Sequence, residues 1–296
     1  MRALVLSGGG SRGQYHVGVL KNLYKTRKIQ HDIISGVSVG ALIGSFLAQY
    51  PKGQEDVAVD ALANLFTNLT TDNVHKSWPL GIFSGVFNKQ SFRNSSPLRE
   101  MVRKHIKPHM IATSGKKLRV GVTLLQPKSL KTEIATNYQV FTEKSDSLTE
   151  VVMASSALAP FLEPVTLNGQ LAIDGAIQAI TPIRAAIDAG ATVIDMVACY
   201  PPYLTYTRKD QLNAVGIGLH VIDLLIQKLT WVDIDQTRRI NELTQLQGPG
   251  GKRYVELNVI APKQDLIVNS LNFVPSEAKR LQALGYDDAK AVVFGP

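Results

Sequence analysis

Cysteine is nearly missing from this chain of 296 residues: Cys199 stands alone, so no intrachain disulfide can form and a disulfide-stapled secreted scaffold is excluded. Long apolar runs are missing too. An apolar window around 219–231 is interrupted by Asp223 and Lys228, which makes it an amphipathic or core helix and not a membrane span. Met1-Arg2 passes straight into a short apolar run and glycines, position 2 is not Gly, and the C-terminus carries no prenylation cysteine, so neither a leader nor a lipid anchor is expected. These absences predict a cytoplasmic protein, at most peripheral at membranes. No segment is of low complexity and no repeat is apparent. The longest basic cluster, Arg103, Lys104, His105 and Lys107, is short, so the net charge of +8 favours anionic surfaces in general and names no nucleic-acid partner.

What is present is a globular composition, 45% hydrophobic and 19% charged, enough for one large α/β domain. No linker divides the chain. One domain over 1–296 is expected, a core at 1–200 followed by a C-terminal extension at 201–296. An apolar run at 3–6 ends in glycines, and Val17, Leu20, Leu23 and Tyr24 then recur on one helical face. A second strand at 32–35, a turn at 36–40 and an apolar helix at 41–50 repeat that unit, which predicts a parallel sheet with helices on its faces. Further on, helices are expected at 57–69, from Ser147 through Ser155, at 213–228 and at 276–284. Strands are expected at 118–125, 132–140, 192–199 and 254–260. Asn168-Gly169 between apolar runs predicts a tight hairpin that leaves Asp174 just past a strand. Ser147 with Glu150 three residues on reads as a capping box. Residues 74–95, with Trp78, Phe83, Phe87 and Phe92 but no steady period, read as a flap.

Gly36-Val37-Ser38-Val39-Gly40 matches G-x-S-x-G between a strand and a helix, the context in which a serine is raised on a sharp turn at the positive end of the helix. A plain turn with Ser38 capping the helix is the simpler alternative. Gly8-Gly9-Gly10-Ser11-Arg12-Gly13 follows the first strand and opens the first helix, so its backbone N–H groups are free to converge on an anion. The same loop satisfies G-x-G-x-x-G, the dinucleotide fingerprint. However, Ser35-Gly36-Val37-Ser38 occupies the end of the second strand, where a ribose-binding acid belongs, and no Gly-Lys-Ser/Thr closes the run as a phosphate loop requires.

These blocks, with Asp174-Gly175-Ala176 after the hairpin, resemble in order and spacing the three signatures of the patatin-like phospholipases, in particular their bacterial and viral members. The resemblance covers residues 1 to about 200, including Ala154-Ser155-Ser156-Ala157 and the prolines behind it. It implies a three-layer α/β/α fold with a mainly parallel central sheet and hydrolysis of a phospholipid or other acyl lipid without metal or cofactor. Carried over, the nucleophile is Ser38 and the general base Asp174, with no histidine. The oxyanion hole falls on the loop of Gly8, Gly9, Gly10, Ser11, Arg12 and Gly13, and Gly36, Gly40, Gly175 and Ala176 complete the motifs. Transient contact with a membrane surface and a protein activator go with the same resemblance. A nucleotide-binding protein and a partner-activated effector stand as alternatives. A Ser-His-Asp triad would need His220, which alone among the histidines follows Asp174, and Pro108 breaks the helix that would align His105 with His109 on a metal. Trp78, Leu80, Ile82, Phe83, Val86 and Phe87 are candidates for an apolar lid.

Overall fold

Short apolar runs that alternate with amphipathic segments bury themselves as strands covered by helices on both faces, and this chain follows that logic. The computed structural model describes residues 1–78, 90–127, 134–203, 214–247, 253–266 and 268–294. The elements are β1 (Arg2–Leu6), α1 (Gly13–Lys21), β2 (Ile33–Gly36), α2 (Val39–Leu47), α3 (Glu55–Thr67), α4 (Thr71–Val74), β3 (Lys76–Ser77) and β4 (Arg93–Asn94). There follow α5 (Ser96–His105), α6 (Pro108–Thr113), β5 (Lys117–Pro127), β6 (Ile134–Thr142), α7 (Leu148–Ser155), β7 (Val165–Leu167) and β8 (Gln170–Asp174). The chain closes with α8 (Ile183–Asp188), β9 (Val193–Val197), α9 (Ala214–Gln247), β10 (Glu256–Ile260) and α10 (Pro275–Lys290).

The main sheet runs β10-β9-β1-β2-β5-β8-β7, with β6 also paired to β5. It is parallel from β10 to β5 and antiparallel where β5 meets β6 and β8 and where β7 meets β8. Alternate residues of β1 serve opposite faces. Leu4 and Leu6 join a core built with α1, α2, α3 and α7, whereas Ala3 and Val5 join a second core with Ile183 and Ala186 of α8 and Ile234 of α9. The architecture is therefore α/β/α around a mainly parallel sheet. Helix α10 packs across α1.

Two expectations change in detail. The helix expected at 213–228 runs on to Gln247, because Ile234, Thr237 and Asn241 keep an inward face below a polar outer surface; residue 213 lies outside the described residues. The capping box does not form: the Ser147 side chain makes no cap bond, and Glu150 instead pairs with Arg99 and Arg103 of α5. Of the lid candidates, Leu80, Ile82, Phe83, Val86 and Phe87 lie outside the described residues, as do residues 132 and 133 of the strand expected at 132–140. Trp78 is half-buried and donates its indole N–H to the Ser91 carbonyl at 3.0 Å.

Candidate active site

Ser38 sits between β2 and α2 with φ 55° and ψ −132°, a conformation that a residue with a Cβ rarely adopts and that costs about 1–3 kcal/mol. Its side chain makes no cap hydrogen bond to α2, which removes the capping alternative. Backbone contacts hold the turn instead. The Ser38 N–H donates to both the carbonyl (3.0 Å) and the hydroxyl oxygen (3.1 Å) of Ser155 at the end of α7, and the Ser155 hydroxyl donates to the Gly121 carbonyl at 2.7 Å. Gly36 and Gly40 face each other across the elbow, with Gly40 against the Leu6 carbonyl, so strand and helix meet without intervening side chains.

Asp174 reaches the same place by a different strand. Strand β5 is long enough to carry two partners in succession on one edge: Gly36, the last residue of β2, pairs with Val120, and Asp174, the last residue of β8, pairs with Val122. Because β2 is parallel and β8 antiparallel to β5, their C-terminal ends point toward each other across a two-residue step, about 7 Å along the strand. Gly175 crosses this junction closely; a Cβ there would lie 2.2 Å from the Gly121 carbonyl oxygen.

The Asp174 carboxylate is fully buried. Its Oδ1 accepts the Ala176 N–H at 2.8 Å, while Oδ2 has no well-aligned partner among the described residues. Burial pushes its pKa up to about 7, against the opposing pull of the Ala176 N–H and of the Ser38 hydroxyl, which is near enough to lower it. A buried carboxylate with one oxygen unsatisfied and a serine hydroxyl close by is equipped to take a proton. Among the described residues no histidine hydrogen-bonds either group. His220 is half-buried on α9 and lines the same cavity, whereas His105 closes α5 and His109 stands in α6 beyond Pro108.

The glycine loop passes over this pair, and a side chain at Gly8 would meet Ser38 Cβ at 3.2 Å. Most of its N–H groups are already committed. Gly8 donates to the Ile180 carbonyl, Ser11 to the Ser270 carbonyl, Arg12 to the Gly9 carbonyl and Gly13 to the carbonyls of Gly10 and Ser11. Those of Gly9 and Gly10 have no acceptor among the described residues. Gly10 adopts φ +57°, and a Cβ on it would lie 2.2 Å from the Ser270 carbonyl oxygen, so the loop admits only glycine there.

Arg12 is engaged by the C-terminal part of the chain. Its buried guanidinium forms a forked pair with Asp223 of α9 (2.9 and 3.1 Å), bonds the Ser270 hydroxyl and the Tyr200 hydroxyl, and lies 4.8 Å over the Tyr200 ring. Asp223 also accepts from Tyr200 and Ser270. In the sequence Asp223 only interrupts an apolar window; nothing local announces a partner 211 residues away, and the acid within an apolar run is the one local signal.

Ser38, Asp174, Gly9 and Gly10 open onto one cavity of about 180 Å³. Its walls are mostly apolar, with Phe66, Leu69, Leu98, Met101, Phe161 and Leu162 on one side and Ile222 and Ile226 of α9 on the other. Such a lining suits a hydrocarbon chain laid against a reactive hydroxyl.

A family model described as patatin-like phospholipase matches residues 4–187, which includes every residue of the elbow, the glycine loop and the Asp174 turn. Among curated proteins, a patatin-like phospholipase domain-containing protein of Caenorhabditis elegans is 28% identical over 199 residues, covering 66% of this chain and 13% of that protein. Triacylglycerol lipase 4 of Saccharomyces cerevisiae is 37% identical over 75 residues, covering 25% of this chain and 8% of the yeast protein. The chain thus spans a small part of the curated relatives it matches. Among solved structures, VipD from Legionella pneumophila aligns over 98% of this chain and 66% of its own, at 14% identity and a TM-score of 0.44.

Proposed function

The chain belongs to the patatin-like phospholipase family, and on that premise we propose that it hydrolyses a carboxylic ester of a phospholipid or related acyl lipid, with Ser38 as nucleophile and Asp174 as base. The observation that carries this reading is the buried Asp174 carboxylate at the junction of β2 and β8, with Oδ2 lacking an aligned partner and the Ser38 hydroxyl close enough to lower its pKa. As Ser38 Oγ attacks the carbonyl carbon, its proton passes to Oδ2, and the carbonyl oxygen becomes an oxyanion received by the N–H groups of Gly9 and Gly10. Collapse of the tetrahedral intermediate expels the alcohol, which leaves with the proton from Asp174. Water, giving a proton to the same carboxylate, then attacks the acyl-enzyme, and the free acid and Ser38 are restored. No metal or cofactor takes part in these steps. Remaining members of the loop, Gly8, Ser11, Arg12 and Gly13, hold it in shape through the bonds described above, and the apolar walls receive the acyl chain.

A fluorophosphonate probe should label wild-type protein at Ser38, and Ser38→Ala should abolish labelling and lower hydrolysis of a short soluble ester by about a thousandfold or more with the fold intact. Labelling that persists in the Ala variant, or thermal stabilisation by NAD or ATP with no labelling of the wild type, overturns the assignment.

A further inference from the structure

Helix α9 presents two unlike faces at the cavity. Ile222, Asp223 and Ile226 point inward, Asp223 onto Arg12, and two turns later Asp233 is turned onto the Thr181 hydroxyl at 2.7 Å. The opposite face carries Val221, Leu224, Leu225, Leu229 and Val232, exposed by between 40% and 58% of their surface. Their spacing, mostly in steps of three and four, places them on one stripe about 17 Å long. An isolated exposed leucine needs no explanation, but a contiguous stripe of this length on a helix that also walls the cavity does. Between Ile217 and Val232 only Asp223 and Lys228 are charged, and with Asp223 turned inward, Lys228 is the one charge on the exposed side. Apolar side chains with a cation among them, and the acids at 223 and 233 turned to the inner face, complement an anionic lipid surface.

We infer that the outer face of α9 is the surface by which this protein seats on an anionic bilayer, immersed to the depth of its apolar stripe, so that the cavity behind the same helix lies at the headgroup level. The inference rests on the proposed lipid hydrolysis for its substrate but concerns a different surface, and seating is measured without turnover.

The test is vesicle flotation of the Ser38→Ala protein, with phosphatidylcholine vesicles with and without about one-third phosphatidylglycerol. The expected result is flotation favoured by phosphatidylglycerol. Leu225→Ser with Leu229→Ser should lower partitioning on both compositions by about tenfold or more. Lys228→Glu should lower it on the anionic vesicles only, by about tenfold. Placed in the otherwise wild-type chain, the same substitutions should leave hydrolysis of a short soluble ester unchanged, which also reports that the variants fold. Equal flotation of wild-type and substituted stripes overturns the inference. So does a protein that fails to float and is dimeric by light scattering, with Leu225→Ser/Leu229→Ser monomeric, since the stripe is then a contact between copies of the chain. Failure of the catalytic reading shows separately, as absence of probe labelling at Ser38.

Discussion

Burying an ionisable base ties stability to catalysis, and Asp174→Asn separates the two. In the folded protein the Asp174 pKa rises from 3.8 to about 7, chiefly through burial. The unfolded chain, with its carboxyl in water, loses the proton near 4. Below pH about 4 both states are protonated and the group costs nothing. Between about 4 and 7 the folded state alone holds the proton, so stability falls as pH rises, and above about 7 the full penalty applies. A rise of this size corresponds to about 4 kcal/mol. Asparagine keeps the oxygen that accepts from Ala176 N–H and carries no charge. We therefore expect Asp174→Asn to match the wild type at pH 4 and to exceed it by up to about 4 kcal/mol at pH 8.5, read from urea unfolding at a series of pH values. Ester hydrolysis by the variant should fall about a thousandfold or more. Wild-type kcat/KM on a soluble ester should climb about tenfold per pH unit below 7 and level off above it. A stability difference that does not change with pH, or a flat rate profile from pH 5 to 9, refutes the picture of a buried carboxyl that must ionise in order to act.

Two further outcomes follow from the geometry around the base. Because Ser38 holds φ 55°, Ser38→Gly should be inactive yet more stable than Ser38→Ala by about 1 kcal/mol in thermal unfolding. Removing the carboxylate opposite Arg12 strands a buried guanidinium, so Asp223→Ala should lose about 3 kcal/mol by denaturant titration, more than an exposed ion pair such as Arg184 with Asp188 would lose.

Legibility in the sequence follows the range of the interactions. The elbow at Ser38 and the hairpin at Asn168-Gly169 were readable because a few adjacent residues dictate them: Asn168 and Gly169 both take positive φ, as the tight turn requires. Helix α9 is legible from the sequence only to 228, since past Val232 the outer face becomes largely polar and the inward residues Ile234 and Thr237 sustain the period. The cap at Ser147 failed because Glu150 found two arginines on a neighbouring helix, a competition that no window of sequence contains. The glycine loop was visible as a cluster of donors, but which N–H groups remain uncommitted depends on carbonyls at 180 and 270, and these only the fold brings near. Asp223 is the same case: its role comes entirely from Arg12 at the other end of the chain.

The pairing of β5 with two strands in turn makes the distance between serine and carboxylate a matter of counting rather than of loop shape. Connections before and after β5 can lengthen or shorten without moving either group, because each is referred to the same ruler. A single residue inserted between Val120 and Val122 has no such freedom. It would widen the gap by a full step and turn every side chain of β8 to the opposite side of the sheet, carrying the acid out of the cavity while the strands themselves stayed paired.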